Sequence, residues 1–338
     1  SPLGQVVILP WAARPWLARL RLDGKLREIS HLLRCLWLWA RFRPDVAYFT
    51  NATFPVAAVF ARLGLCRVIL RLLGLHPDQW KYAARPGGMI HWCYRSPFDR
   101  VICTLDGSGI DYYLPKLIAP DVPRSVWLNG VDPLEADDHA FGRILDAYPA
   151  GGTPLVLFVG RLEWNKGCRE FVAGILQALK DRPDGCQAVL LGEGGLRDEL
   201  EGKIAEAGAE KNIHLVGGVS HGEVAAWMRR ADIYVSLNWF GNLSNANLEA
   251  LSAGKCMVIL GEDAERHIDV ETTRLIPQDA VLRIGREDVV GNLGRALNSL
   301  LLSPQSIADF EMAASALGGS LLESWEKRIA REKEVICP

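Results

Sequence analysis

The sequence lacks several features that would place it in a membrane-spanning, secreted or metal-binding class. No apolar run is long enough to span a bilayer and no secretory signal is visible, so we expect a soluble or peripheral protein. Its eight cysteines include no C-x-x-C pair and no histidine at metal-ligand spacing, which favours reduced thiols over a disulfide framework or a zinc site. The low hydrophobicity of a disordered chain is also absent, because 49% of the residues are hydrophobic.

Charge is unevenly distributed along the chain, although the net charge is only −2. Residues 1–129 contain 17 lysines and arginines against 8 acidic residues, whereas the remainder contains 21 against 32. A length of 338 residues is enough for two domains with their own cores, and the charge difference indicates a different partner for each. Because the first residue is Ser and not Met, we expect a fragment or a processed product.

Tryptophan and arginine are concentrated in residues 11–44, after a predicted strand over residues 5–10. Apolar residues between positions 26 and 43 recur at helical spacing. Tryptophan with arginine is the composition of a helix at a membrane interface. A helix that packs on a core and turns a basic face to solvent has the same composition, so both interpretations stay open. No nucleic-acid-reading motif accompanies the basic residues, and we expect no nucleic acid partner.

A buried strand followed by a basic loop is predicted at residues 155–167, LVLFVGRLEWNKG. Residues 155–160 are all apolar or glycine, as in a strand buried on both faces of a parallel sheet. An amphipathic helix follows, and the free N–H groups and dipole at its start favour anions. Arg161 and Lys166 add two positive charges to this loop. The pattern predicts an anion site, and the alternative is an ordinary surface loop with solvated charges.

Strands and helices alternate strictly after this point, which predicts a doubly wound parallel α/β sheet with its ligand at the carboxyl ends of the strands. The predicted strands cover residues 155–160, 187–191, 213–216, 233–237, 257–260 and 281–284, and the predicted helices cover residues 168–180, 196–207, 221–230 and 245–253. Strands are predicted earlier in the chain over residues 45–50, 67–73, 101–105 and 126–128. The polar run over residues 134–154 predicts an interdomain linker.

Two motifs resemble those of the retaining nucleotide-sugar glycosyltransferases of family 4, also called glycosyl transferases group 1. The first is V-G-R-L-x-x-x-K-G at residues 159–167, and the second is Leu248-Glu249-Ala250 followed by Gly254, Val258 and Ile259. The resemblance implies the GT-B fold, in which two doubly wound Rossmann-like domains face a cleft. We expect an acceptor-side domain over residues 1–133 and a nucleotide-sugar-binding domain over residues 134–320. The resemblance further implies a terminal helix, over residues 321–338, that packs back on the first domain.

The resemblance also implies roles for individual residues. Arg161 and Lys166 are expected to act on the departing diphosphate, and Glu249 to accept hydrogen bonds from ribose hydroxyls, with an exposed helix glutamate as the alternative. The other expected nucleotide-sugar contacts are Gly160, Gly192, Gly194, Val216, Gly217, Asn242, Leu243, Ser244 and Asn245. The glycines have simple turns as their alternative. His76 is a candidate contact to the donor sugar, with a loop histidine that makes only local hydrogen bonds as its alternative.

Two departures from the family pattern bear on activity. Family members place another glutamate, which contacts sugar hydroxyls, eight residues before the ribose glutamate, and this chain has Gly241 there. Asn242, Ser244 and Asn245 are polar neighbours that would hydrogen-bond a sugar without charge. The first strand and glycine-rich loop of the family are not found in residues 1–43.

The resemblance therefore predicts an enzyme, a retaining glycosyltransferase of the hexosyltransferase type. It would move a sugar from a nucleotide diphosphate-sugar to a glycan or lipid-linked acceptor in polysaccharide or glycolipid synthesis. We expect it in the cytoplasm at the inner face of the membrane, with peripheral membrane contact through the basic Trp-rich region. Because no D-x-D motif stands in a suitable loop, we expect neither a metal nor another cofactor. The alternatives are a nucleotide-sugar-binding protein without catalysis and a GT-B sugar-nucleotide epimerase.

Overall fold

The chain forms two compact units in the computed structural model, which describes residues 23–75 and 77–336. The first unit comprises residues up to 104 together with residues 110–127, and the second comprises residues 105–109 together with those from 128 onward. The predicted strand over residues 5–10, with Trp11 and Trp16, lies outside the described residues. That the terminal helix packs on the first unit stays a prediction.

The first unit contains, in its described residues, a parallel four-stranded sheet in the order β1-β2-β3-β4. Its elements are α1 (Asp23–Phe42), β1 (Val46–Thr50), α2 (Phe54–Leu63), β2 (Arg67–Leu72), α3 (Pro77–Ala83), α4 (Met89–Tyr94), β3 (Arg100–Thr104), α5 (Ile110–Leu117) and β4 (Arg124–Trp127). Helix α2 ends at Gly64, whose φ of 60° is the left-handed conformation that glycine adopts without strain. The four strands predicted in this region are confirmed, with ends displaced by one or two residues.

The second unit contains a parallel six-stranded sheet in the order β10-β9-β8-β5-β6-β7 within the described chain. Its elements are α6 (Asp138–Ala147), β5 (Leu155–Val159), α7 (Cys168–Asp181), β6 (Gln187–Leu191), α8 (Arg197–Glu206), β7 (Ile213–Gly217), α9 (His221–Arg230), β8 (Ile233–Ser236), α10 (Asn245–Ser252), β9 (Cys256–Leu260), α11 (Val270–Leu275), β10 (Leu282–Ile284), α12 (Val289–Leu301), α13 (Pro304–Leu321) and α14 (Trp325–Ile336). Counted from β5, this is the 3-2-1-4-5-6 strand order of a Rossmann-type sheet. The predicted α/β class is confirmed.

The core of the second unit is built around β5. Leu155, Val156 and Leu157 are fully buried, as the apolar run predicts for a central strand. The ring of Phe158 packs on that of Phe171 in α7, with 5.4 Å between their centroids. Burial of both elements fixes the two ends of the loop that joins them.

Residues 134–154, which their polar composition predicts to be an interdomain linker, contain α6. The carboxylate of Asp137 caps this helix by accepting a hydrogen bond from the N–H of Ala140 at 2.9 Å. Ala140 and Ile144, one turn apart, are buried as α6 packs against α9. A narrow apolar stripe is enough to hold this otherwise polar surface helix, which the polar composition alone does not predict.

Two further properties bear on the class of protein. Within residues 23–75 and 77–336, none of the helices combines the length and the apolar character needed to cross a membrane. The seven cysteines in this part of the chain are free thiols, and five of them are buried. Burial raises the pKa of the Cys168 thiol to about 11, so this thiol stays protonated near neutral pH.

Candidate functional site at the carboxyl edge of the second sheet

The loops that follow β5, β6 and β7 meet at one edge of the second sheet, because its strands run in parallel. The N–H of Gly160 donates a hydrogen bond to the carbonyl of Leu191 at 3.0 Å. The N–H of Gly192 donates to the carbonyl of Gly217 at 2.8 Å. These bonds join the three loops, so that the predicted contacts at Gly160, Gly192 and Gly217 lie side by side.

The loop after β5 ends in a 3₁₀ turn, Trp164–Lys166, followed by Gly167. Gly167 has a φ of 71°, and a β-carbon there would overlap Leu237, just after β8. The N–H of Trp239 donates to the carbonyl of Asn165 at 3.0 Å. The turn is therefore held against the start of the loop after β8, and the lysine at its end has a fixed position on the edge.

Arg161 and Lys166 are the two cations of this loop. Arg161 is exposed, and its guanidinium donates to the carboxylate of Glu163 at 2.7 Å. Lys166 is half-buried, and its ammonium makes no hydrogen bond or ion pair within the described residues. Burial lowers the pKa of Lys166 and the charge of Arg161 lowers it further, whereas the charges of Glu163 and Asp106 raise it. A bound anion would relieve both the lost solvation and the repulsion between the cations.

Gly192 and Gly194 lie where the loop after β6 crosses the loop after β5. Gly192 has a φ of 135°, and a β-carbon there would overlap the carbonyl oxygen of Gly160. A β-carbon on Gly194 would overlap the backbone of Leu162, whose N–H donates to the carbonyl of Glu193 at 2.9 Å. The contact between the loops is sufficient to require glycine at both positions. Their contact with a nucleotide stays a prediction.

The loop after β7 presents Val216 and Gly217 beside Glu193. Val216 is 42% exposed, and Gly217 has a φ of 94°. The carboxylate of Glu193 accepts hydrogen bonds from the N–H of Gly218 at 3.2 Å and from the guanidinium of Arg197 at 3.3 Å. Glu193 thereby holds the turn after β7 in place, while the contact of Val216 and Gly217 with a nucleotide base stays a prediction.

The loop after β8 uses its polar groups inside the protein. The backbone N–H and the side-chain amide of buried Asn242 both donate to the carboxylate of Asp269 at 2.7 Å, and the amide also donates to the carbonyl of Asn238 at 3.3 Å. The guanidinium of Arg286 donates to Asp269 at 2.8 Å. Burial raises the pKa of Asp269, while these neighbours lower it. Both amide hydrogens of Asn242 are used here, and its contact with a sugar stays a prediction.

Gly241 is explained by residues 106–108, which belong to the second unit and cross directly over it. Gly241 has a φ of 123°, and a β-carbon there would overlap the carbonyl oxygen of Asp106 and lie 2.8 Å from the N of Ser108. No side chain fits in that space, glutamate included. The N–H of Leu243 donates to the same carbonyl of Asp106 at 3.2 Å, so this predicted nucleotide-sugar contact also has a partner within the protein.

Asp106 is a residue of this edge that the sequence analysis missed. Its carboxylate accepts hydrogen bonds from the N–H of Ser108 at 3.0 Å and from the Ser108 hydroxyl at 2.6 Å. Loss of solvation raises the pKa of Asp106 to about 7, although the hydrogen bonds from Ser108 lower it. The only signal in the sequence is a cluster of turn residues after β3, Asp106-Gly107-Ser108-Gly109, which does not reveal that the turn belongs to the second unit.

Helix α10 begins at the end of the loop after β8. Ser244 is its N-cap, and the Ser244 hydroxyl accepts a hydrogen bond from the N–H of Asn247 at 3.4 Å. The side-chain oxygen of exposed Asn245 accepts from the amide of Asn129 at 2.7 Å. Ser244 and Asn245 thus lie at the helix start as predicted, and their contact with a ligand stays a prediction.

Glu249 lies about one turn into α10 and is half-buried. Burial raises the pKa of Glu249, and the charge of His221 opposes this change. No group in the described residues donates a hydrogen bond to its carboxylate, which leaves both oxygens able to accept from a ligand hydroxyl. Because α10 follows β8 and the Arg161–Lys166 loop follows β5, the three charged residues follow neighbouring strands of the sheet.

Two further predictions concern His76 and the absence of a metal. His76 lies outside the described residues, so its contact with a donor sugar stays a prediction. In the part of the chain that the structure describes, no cluster of three or more His, Cys, Asp or Glu residues is arranged to hold a metal ion. The charges identified at this edge belong to arginine, lysine and separate carboxylates.

A family model and several known proteins are similar to parts of this chain. Residues 153–286 match the family model described as Glycosyl transferases group 1. The chain is 28% identical over 113 residues to 2-deoxystreptamine glucosyltransferase of Streptomyces kanamyceticus, which covers 33% of this chain and 29% of that protein. It is 30% identical to glycogen synthase of Mycobacterium tuberculosis over 168 residues. This match covers 49% of this chain and 38% of that protein. The chain thus spans less than two fifths of the length of these curated relatives.

A solved structure supports the fold. HepE from Anabaena, in complex with UDP-glucose, matches with a TM-score of 0.73 over 95% of this chain and 84% of that chain, at 15% identity. At this identity the likeness concerns the fold alone, which is the α/β fold of GT-B glycosyltransferases. The segment matched by the family model contains Arg161, Lys166 and Glu249. Residues 153–286 of this chain are therefore similar to the glycosyl transferases group 1 family.

Proposed function

We propose that this protein is a retaining glycosyltransferase of the hexosyltransferase type. It moves a sugar from a nucleoside diphosphate-sugar to a glycan or lipid-linked acceptor in the synthesis of a cell-surface polysaccharide or glycolipid. The observation that carries the proposal is that Arg161, Lys166 and Glu249 follow neighbouring strands of one parallel sheet inside the family segment. The glucosyltransferase and glycogen synthase names of the relatives, and the UDP-glucose bound to HepE, support the donor class.

In this proposal, Arg161 and Lys166 stabilise the nucleoside diphosphate as it leaves. Breaking the bond between sugar and phosphate adds negative charge to the diphosphate in the transition state. A unit charge at about 4 Å is worth roughly 4 kcal/mol at a surface-like effective dielectric. Lys166 has no competing partner in the described chain, and Arg161 would exchange the carboxylate of Glu163 for a phosphate oxygen. Charge stabilisation of this kind is a major source of catalysis.

In the same proposal, Glu249 holds the ribose of the donor. Two oxygens of one carboxylate accept hydrogen bonds from two adjacent hydroxyls in a fixed geometry. Glu249 is half-buried and accepts no hydrogen bond within the described residues, so this geometry is open to a ligand. Gly160, Gly192, Gly194, Val216 and Gly217 would line the diphosphate and the base through their backbone.

We propose that the reaction needs no divalent metal, since two side-chain cations can neutralise the charge that a metal neutralises elsewhere. Turnover that is unchanged by EDTA and not raised by added Mg²⁺ or Mn²⁺ would support this part. Turnover that EDTA abolishes and a metal restores would overturn it.

A second candidate function, nucleotide-sugar binding without catalysis, is favoured by Gly241. The carboxylate that family members are expected to place there is sterically excluded by residues 106–108. Binding-only function predicts the same donor affinity and the same dependence on Lys166, but no products. The two candidates therefore differ only in turnover.

Incubation of the protein with a panel of UDP- and GDP-sugars, followed by measurement of released UDP or GDP, tests the proposal. Release with one donor, faster in the presence of a glycan or lipid-linked acceptor, supports transfer. Saturable donor binding without release favours the binding protein, and an altered sugar with its nucleotide retained indicates an epimerase. No binding of any nucleotide sugar would remove all three.

A further inference from the structure

Helix α1 carries an exposed apolar stripe, which consists of Leu26, Ile29, Leu33 and Trp37. These side chains are 39%, 54%, 62% and 64% exposed, respectively. Their spacing of three, four and four residues places them on one face of the helix. Four large apolar side chains in a row on a surface form a patch that soluble monomers seldom leave without a partner.

A row of arginines lies along one side of the apolar stripe. Arg27, Arg34 and Arg41 are seven residues apart, so at 100° per residue they lie within about 40° of one another around the helix. Their direction is roughly 90° from the centre of the stripe. Arg27 and Arg41 are exposed, with Glu28 at 3.5 Å from Arg27 and the ring of Phe42 5.5 Å from Arg41. The helix surface is thus apolar at its centre and positively charged at one edge.

The opposite face of α1 attaches the helix to the first unit. The indole N–H of Trp39 donates to the carbonyl of Leu65 at 2.9 Å. Helix α1 also packs against α2. Because this face makes the attachment, the apolar stripe is not needed to hold α1 on the unit.

We propose that α1 docks this protein on an anionic lipid surface, with the apolar stripe in the headgroup region and the arginine row against acidic headgroups. A helix with an apolar face, a basic edge and a tryptophan among its apolar residues has the composition of a helix that lies in the membrane interface. The docking does not depend on the donor site, because every residue in it belongs to the first unit.

Charge favours lipid over the other occupants of this face. The first unit, residues 1–104 and 110–127, carries 17 basic against 7 acidic residues, which attracts the unit as a whole to an anionic surface. A second copy of the chain would bring the same arginine row to the contact, and like charges would oppose the pairing.

Vesicle co-sedimentation of the full chain tests the proposal, with vesicles of equal phosphatidylglycerol and phosphatidylcholine compared with phosphatidylcholine alone. We expect binding to the anionic vesicles and at least about tenfold weaker binding to the neutral ones. The double variant Leu33→Ser/Trp37→Ser should lower binding to anionic vesicles about tenfold or more. The matched control Leu302→Ser/Met312→Ser removes two side chains that are 67% and 70% exposed in the second unit, and should bind like the wild type.

Variants of the arginine row test its contribution separately from that of the apolar stripe. Arg27→Gln/Arg41→Gln should weaken binding to anionic vesicles, reduce its dependence on salt and leave the thermal unfolding midpoint unchanged. Equal binding of the wild type and the Leu33→Ser/Trp37→Ser variant would overturn the proposal. Vesicle binding by a variant that lacks residues 1–22, with no binding by the full chain, would also overturn it. So would a wild-type dimer that dissociates in the Leu33→Ser/Trp37→Ser variant.

Discussion

Two loops on the same edge of the second sheet are both rich in polar residues, yet they differ in what those residues do. The loop after β5 presents Lys166, which has no hydrogen-bond or ion-pair partner within the described residues. In the loop after β8, the amide of Asn242 donates both hydrogens to groups of the protein, and the N–H of Leu243 donates to Asp106. The first loop is available to a ligand, and the second is largely occupied by its own folding.

The difference lies in what surrounds each loop. The loop after β8 is covered by residues 106–108 and backed by the Asp269–Arg286 ion pair, and its N–H donors at Asn242 and Leu243 are satisfied internally. The loop after β5 is held through its backbone, by contacts at Gly160 and Asn165, which leaves the Lys166 ammonium uncommitted. Polar composition alone therefore does not identify a binding loop.

The largest expected effect is that of removing the uncommitted cation. Lys166→Ala should lower turnover about 100-fold or more, because the departing diphosphate loses a positive charge in the transition state. Release of nucleoside diphosphate under saturating donor measures this. Lys211→Ala is a suitable control, since Lys211 is exposed and pairs with Asp184 at 3.2 Å. If both variants retain wild-type turnover, the loop after β5 has no catalytic role.

A substitution at Gly241, in the loop after β8, should lower the stability of the protein rather than its turnover alone. Gly241→Ala should lower the free energy of unfolding by about 2 kcal/mol or more, because the β-carbon overlaps the backbone at Asp106 and φ is positive. Gly208→Ala serves as the control, because Gly208 has a φ of 63° and no atom lies near its β-carbon. We expect it to lower the free energy of unfolding by about 1 kcal/mol, through the positive φ alone. Urea unfolding measures the loss of unfolding free energy in both variants. Equal losses would show that residues 106–108 do not constrain Gly241.

A smaller effect is expected at Glu249. Glu249→Gln should raise the KM for the donor about tenfold, because one charge-assisted hydrogen bond to ribose becomes a weaker neutral one. Competition by UDP and by 2′-deoxy-UDP makes the test specific, since the variant should discriminate less between them than the wild type does. The control Glu206→Gln changes an exposed glutamate at the end of α8. Undiminished discrimination in Glu249→Gln would exclude the ribose contact.

The smallest effect is a dependence on pH. Burial and Arg161 lower the pKa of Lys166, so its ammonium loses its proton at a lower pH than an ordinary lysine, and anion binding weakens as pH rises. Between pH 7.5 and 9.5, UDP affinity of the wild type should fall about threefold more than that of Lys166→Arg, whose guanidinium stays charged. Parallel pH profiles for the two proteins in calorimetric titration would argue against a role for Lys166 in binding.

Much of the fold could be predicted from the sequence because its signals are local. The apolar run at Leu155–Val159 and the helical spacing of α7 are readable from adjacent residues, and the structure confirms both. Helix α6 was missed because only Ala140 and Ile144 mark its buried face in a polar run. Its packing on α9 involves residues far away in the sequence.

The candidate site was predictable in its positions but less so in its contacts. Arg161, Lys166 and Glu249 lie at the edge that the alternation of strands and helices predicts. The reason for glycine at position 241 was not accessible, because it depends on residues 106–108, which precede it by more than a hundred positions. The same holds for Asp106, whose carboxyl has a pKa raised to about 7 by loss of solvation that the folded structure alone defines.

The most direct test of the proposed function is a crystal structure of this protein soaked with UDP or with GDP. We expect diphosphate oxygens within hydrogen-bond distance of the Lys166 ammonium and the Arg161 guanidinium, with the ribose hydroxyls on Glu249. A nucleotide bound at another place, with the loop after β5 empty, would contradict it.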